Sequence, residues 1–136
     1  MLVRRLSEAP VLEVHRLRAR ILMDAGELGS RNLSANWIEV PAGASEELRS
    51  DEEAEQIYIV VSGSGTLSAT GDAQTVAVGD LVLIPPSTDH SIVNDGDGDF
   101  ALVAVHSPAV AADELYSRRL AAQASGYDDE YDDDYE

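Results

Sequence analysis

Three histidines, at positions 15, 90 and 106, are the side chains here that can exchange a proton near neutral pH. The chain has no cysteine, so thiolate nucleophiles, disulfides and Cys-type zinc sites are excluded. No G-x-S-x-G occurs, which removes one familiar serine-nucleophile turn. Ser62-Gly-Ser-Gly65 looks superficially like a phosphate loop but lacks the lysine that such a loop requires. Asp95-Gly-Asp-Gly98 is too short for an EF-hand loop and has no glutamate at the twelfth position, so a hairpin turn is the simpler account. His15 reads as a surface residue, and His106 ends an apolar run with no fixed partner. What remains is chemistry by arginine forks, amides, imidazole and carboxylates: hydrogen-bonded ligand binding, proton transfer, or a hard, oxygen-rich metal site.

The elements that would hold these groups are short strands. Residues 2–23 alternate weakly, with Arg16, Arg18 and Arg20 interleaved among apolar positions; strand is expected, with helix open for 13–23. Residues 33–40 alternate and stop at Pro41-Ala-Gly43. Residues 44–54 are polar and acidic and read as a loop or an edge. Ile57-Tyr-Ile-Val-Val61 is the strongest strand signal, dense in β-branched and aromatic residues. Further strands are expected over 66–70, 74–78, 81–84, 91–94 and 100–106, separated by glycine, proline and Asp-Gly turns. Turns every 8–12 residues predict an antiparallel sandwich or barrel. Ser107-Pro108 fits a helix N-cap and first position, and an alanine-rich helix is expected over 109–124.

Periodicity alone leaves jelly roll, immunoglobulin-like sandwich and lipocalin-type barrel open. The turns carry more. Gly79, Pro85, His90 and Asn94 stand in the register of the second cupin motif, G-x5-P-x-G-x2-H-x3-N, with Ser87 in place of the second glycine. Gly43, Gln56 and Gly63 match the fixed points of the first motif, G-x5-H-x-H-x3/4-E-x6-G. Residues 33–106 therefore resemble a small single-domain cupin of the conserved-barrel type. The resemblance implies an all-β fold: a cupin double-stranded β-helix (jelly-roll barrel) with one C-terminal α-helix and a disordered acidic tail. The organisation expected is an N-terminal strand or arm over 1–30, the barrel over 31–107, the helix over 108–125 and the tail over 126–136.

In metal-binding cupins the two motif histidines, the Glu or Gln and the later histidine hold one divalent metal inside the barrel. The resemblance puts Arg49, Asp51, Gln56 and His90 at those positions. Guanidinium cannot ligate, and at about 4 Å it would repel a dication by about 8 kcal/mol at an effective dielectric of ~20. Three readings follow. One is a metal-free or metal-poor pocket in which Arg49, Gln56, Tyr58 and His90 bind a small polar or anionic ligand, with no cofactor. Another is an altered site of Asp51, Gln56 and His90 holding a divalent metal such as Mn or Fe, in an enzyme of dioxygenase, isomerase or lyase type. The third is a non-catalytic scaffold with His90 packed in the core. Tyr58 shares strand parity with Gln56, so it lines the pocket or packs in the core. Asn94 reads as a tie for its turn, and Trp37 as core or dimer interface.

Acids outnumber basic residues 26 to 9, and every basic residue is arginine. A net charge of -17 disfavours nucleic acid and anionic membranes as partners. It would suit a high-salt cytoplasm. No apolar run approaches the roughly 18 residues that span a bilayer, and no signal peptide is read at the start, so a cytoplasmic protein is expected. The tail YDDEYDDDYE reads as disordered and solubilising, with docking to a basic protein as the alternative. The family resemblance further implies a homodimer, paired through N-terminal strands.

Overall fold

The structure is a computed structural model that describes residues 1–115. Ten strands follow in chain order: β1 (Val11–Val14), β2 (Leu17–Met23), β3 (Ser34–Val40), β4 (Ser45–Arg49), β5 (Glu55–Ser62), β6 (Ser64–Ala69), β7 (Asp72–Ala77), β8 (Leu81–Ile84), β9 (Asp89–Val93) and β10 (Phe100–Ser107). They form two antiparallel sheets. The larger runs β1-β2-β3-β10-β5-β8 and the smaller β4-β9-β6-β7. From β3 to β10 the chain crosses repeatedly between the sheets, as in a jelly roll, with β6 and β7 forming a hairpin in the smaller one. Between the sheets lies a core that includes Leu17, Ile38, Val40, Val60, Leu67, Ile92, Phe100 and Leu102.

Alternation explains which side chains face that core. In β3 the buried positions are Ser34, Asn36, Ile38 and Val40. In β5 they are Gln56, Tyr58 and Val60, and in β10 Leu102, Ala104 and His106. On the opposite parity two rows between β3 and β8 are apolar, while Arg18, Arg20 and Glu39 share that face on β2 and β3. Trp37, Val103, Ile59 and Leu81 form one cross-strand row, and Ala35, Val105, Ile57 and Leu83 the next.

One open alternative closes, the loop-or-edge segment proves to hold an edge strand, and one expectation changes. Residues 13–23 are strand: β1 and β2 pair through a tight turn at 15–16 and join β3, placing the N-terminal segment in the larger sheet. The acidic segment 44–54 contains a strand, β4, paired with β9 from Ser45↔Val93 to Arg49↔Asp89. Its inward positions are Glu46 and Leu48, so a glutamate conceals the apolar alternation. The helix does not start at Ser107, which is still strand; helical residues begin at Ala112 and run to Ala112–Leu115 among the described residues. The Ala112 N–H donates to Asp24 Oδ1 at 2.9 Å, so the cap comes from a distant turn. The rest of the expected helix and the acidic tail lie outside the described residues.

The motif glycines serve turns and close approaches. Gly63 has φ 73°, and a Cβ there would collide with the Asp99 carbonyl oxygen. A Cβ on Gly65 would strike the Phe100 ring and lie 2.6 Å from the Val93 carbonyl oxygen. Ser87, where the motif has glycine, adopts the left-handed φ of 56° that glycine would take without strain. Asn94 Nδ2 donates to the carbonyls of Val40 and Gly98, both at 2.8 Å, and its Oδ1 accepts from the Gly96 N–H at 3.1 Å. That side chain pins the turn between β9 and β10 to the end of β3.

Candidate functional site

Gln56, Tyr58, His90 and His106 face the interior from three strands. Parity on β5 sends Gln56 and Tyr58 inward, where both are nearly inaccessible. His106 is fully buried on β10, directly across from Gln56. His90 comes from β9 in the opposing sheet. The Tyr58 hydroxyl lies 2.9 Å from His90 Nε2, and the two rings are tilted at 59° with centroids 5.6 Å apart. His90 Nδ1 is 3.1 Å from the Thr88 carbonyl oxygen.

These partners determine the proton positions. A carbonyl only accepts, so Nδ1 of His90 carries the hydrogen and Nε2 of the neutral ring accepts from Tyr58. Burial lowers the pKa of His90, partly opposed by the Thr88 carbonyl and the Asp89 charge, so the neutral form is favoured. His106 is lowered further, to about 4, chiefly by burial; the Asp51 charge opposes this and His90 adds to it. This cluster thus holds two neutral imidazoles, an amide and a phenol. Three of its buried atoms have no hydrogen-bond partner among the described residues: Gln56 Oε1 and both ring nitrogens of His106. Such atoms are rare in folded proteins and each disfavours the fold by about 1–3 kcal/mol unless something meets it.

Arg49 does not join this group. On β4 the parity that buries Leu48 turns Arg49 outward, and its Nη1 donates to Asp89 Oδ1 at 2.7 Å on the neighbouring strand. With 44% of its side chain exposed, Arg49 lines an outer groove of about 540 Å³ with Glu47, Ser68, Thr70 and Asp89, a groove that residue His90 also borders. Asp51 sits at the turn after β4, where Oδ2 accepts from the N–H groups of Glu53 and Ala54 at 2.9 and 3.1 Å. A second groove, of about 220 Å³, lies between β6, β7 and β8. It includes Thr88, whose carbonyl holds His90, and Ile84, which faces Gln56 across the ladder.

The residues that would carry a cupin-type metal can be judged on their own chemistry. Arg49 is a fixed cation pointing away, Asp51 binds backbone amides, and His90 Nε2 accepts from Tyr58. Among the described residues, no group of three or more His, Asp or Glu is placed to hold a metal ion. The inward donors around Gln56 are two imidazoles and one amide oxygen, and among the described residues the buried carboxylate of Glu46 on β4 is not grouped with them to hold a metal. This set does not fit the four-ligand centre of the metal-binding members.

His106 is the residue that the motifs do not reveal. It shares parity with Leu102 and Ala104, and pairing the last strand with Ile57–Val61 would have aimed it inward beside Gln56.

Comparison with known proteins bears on the fold and family. The family described as Cupin domain matches residues 36–106. A Cupin 2 conserved barrel domain protein from Salinispora arenicola is 28% identical, with TM-score 0.67 over 87% of this chain and 98% of that one. Ectoine synthase from P. lautus shares the fold at 16% identity and TM-score 0.73, covering 86% of this chain and 85% of that chain. The uncharacterized protein MJ1618 of Methanocaldococcus jannaschii is 34% identical over 58 residues, which is 43% of this chain. The match spans 46% of that protein's own length. No helix among the described residues is long and apolar enough to cross a membrane.

Proposed function

The chain belongs to the cupin family, and from that premise we propose that it is a small-molecule-binding cupin whose barrel interior takes a small, uncharged polar ligand without a metal. The observation that carries this reading is the trio of buried, unpartnered atoms on Gln56 and His106. A ligand offering donors to Gln56 Oε1 and to the acceptor nitrogen of His106, and an acceptor to its N–H, would satisfy all three. The Tyr58–His90 pair completes the wall. An anion, the other half of the sequence expectation, finds no support in the interior, because Arg49 faces the outside and both imidazoles favour the neutral state.

Thermal melts and calorimetry with a panel of polyols, sugars, amides, nucleosides and small carboxylates test it. Neutral polar compounds should raise the melting temperature, and Gln56→Leu or His106→Leu should abolish the gain. Both variants should leave the ligand-free protein as stable or more stable, since an apolar side chain replaces an unpaired polar one. Binding confined to carboxylates and lost in Arg49→Ala would overturn the interior site in favour of the outer groove. A stoichiometric transition metal in protein purified without chelator, lost in His90→Ala, would overturn the metal-free reading. No stabilising ligand at all would leave a scaffold.

One observation favours catalysis at the same place. The hydrogen-bonded line Tyr58, His90, Thr88 carbonyl has a fixed tautomer and can pass one proton between phenol and imidazole. This suits isomerase or lyase chemistry by proton transfer. A bound carbonyl compound incubated in heavy water should then exchange its α-hydrogen for deuterium, detected by proton NMR, and Tyr58→Phe should stop the exchange while binding persists. Equal exchange with and without the protein would sink this second reading.

A further inference from the structure

We infer that the slit between β6 and β8 receives an apolar arm of the ligand, so that the molecule bound is amphiphilic: a neutral polar head on Gln56 and His106, and a short hydrocarbon tail. The inference rests on the interior reading above and supplies the other half of the ligand. Residues paired across a ladder share one face of the sheet. Val82 pairs with Tyr58 and Ile84 with Gln56, so both turn inward from β8. Ala69 pairs with His90 and Leu67 with Ile92, so both turn inward from β6. All four line the groove of about 220 Å³. On each sheet the groove is therefore one strand away from the Tyr58–His90 hydrogen bond, with Val82 beside the tyrosine and Ala69 beside the histidine.

The slit exists because the two sheets are open to each other on this side. β7 ends the smaller sheet and β8 ends the larger, and no ladder joins them. Leu67 and Ile84 are buried, whereas Val82 and Ala69 are half-buried, so the apolar lining runs from the core toward solvent. Polar groups stand at its rim. Asp72 and Gln74 are exposed on β7, and Gln74 Nε2 lies 3.4 Å from both carboxylate oxygens of Asp72.

Size and charge select the occupant. Pockets for whole drug-sized ligands measure about 300–1,000 Å³. At about 220 Å³ the slit is smaller than these and suits one arm of a molecule seated elsewhere. Among the described residues that line it, Asp72 alone is charged, so an anionic arm meets repulsion and no counter-charge. Hydrocarbon gains most from walls of leucine, isoleucine, valine and alanine.

Calorimetric titration of the full chain with n-alkanamides, from acetamide to octanamide, tests the inference. Each keeps the same neutral head and lengthens the tail. Affinity should rise about fourfold per methylene and level off once the slit is full. Ala69→Leu fills the slit and should remove the length dependence while acetamide binds as before. Val82→Phe is the second filling variant, and circular dichroism checks the fold of both. Leu81→Ser, outward on β8, should change neither head nor tail binding. Methyl NMR locates the tail: Val82 and Leu67 signals should shift with hexanamide and stay in place with acetamide. Acetamide binding with no gain from a longer tail overturns the inference and leaves the interior reading standing. So does length dependence that survives both filling variants, or tail-dependent shifts confined to other methyl groups. Binding of no amide at all overturns it as well; the interior reading then survives if neutral polyols or sugars bind, and falls with it if they do not.

Discussion

His106 decides how this barrel responds to acid. Its imidazole is held at about 4 in the fold, well below the 6.5 of an exposed histidine. The unfolded chain therefore binds the proton first, and the stability that neutral burial contributes is present above about pH 6.5. It is lost as pH falls from there toward 4. The shift corresponds to about 3 kcal/mol in full. Urea unfolding across that window should show stability falling in the natural protein and falling clearly less in His106→Leu; parallel curves would contradict the assignment. The residue scale is also where sequence reasoning met its limit. Spacing alone aligned Arg49 with a metal-ligand position, but orientation on a strand is set by parity, and the neighbour that buries Leu48 sends Arg49 out to Asp89. Gln56, Tyr58 and His90 were legible because motif spacing and strand parity agree there. His106 was not, because nothing local marks it; its partner, Gln56, is fifty residues away and becomes a neighbour only through the β5–β10 ladder.

At the scale of elements, the turns hold the two sheets in place, and the turns were what the sequence showed best. Asn94 spans β3 and the β9–β10 connection through three hydrogen bonds. Asn94→Ala should lower stability by about 2–4 kcal/mol in chemical denaturation, since it leaves buried backbone carbonyls unmet. The glycines separate into two kinds. Gly71 has φ 80° with open space around it, so Gly71→Ala should cost only the left-handed strain, about 1–2 kcal/mol. Gly65→Ala drives a methyl into Phe100 and backbone, and should destabilise by more than Gly71→Ala. Similar midpoints for the two variants would show that the core yields there. Strands β5, β8 and β10 were plain from their apolar runs. β4 was concealed because its two inward positions are one glutamate and one leucine, which leaves no period to count.

For the whole molecule, charge is the dominant fact. A chain of 136 residues with a net charge of -17 and no lysine resists compaction by self-repulsion. Thermal stability should therefore rise as sodium chloride increases from low to about 1 M, as exposed charges are screened at distances beyond roughly 3–10 Å. A melting temperature indifferent to salt would count against the high-salt setting suggested by composition. The cupin barrel itself does not name a ligand; on the proposed reading that information lies in Gln56, Tyr58, His90 and His106.

Strand β5 presents two faces, Gln56, Tyr58 and Val60 turned into the barrel and Ile57, Ile59 and Val61 turned outward. The two faces are interleaved in one eight-residue word and read in alternate letters. Point substitutions can thus alter either face while leaving the other unchanged. A single-residue insertion within Glu55–Ser62 would do the opposite: it would exchange the two faces downstream and abolish both at once. Length variation should accordingly be confined to the loops on either side of this strand.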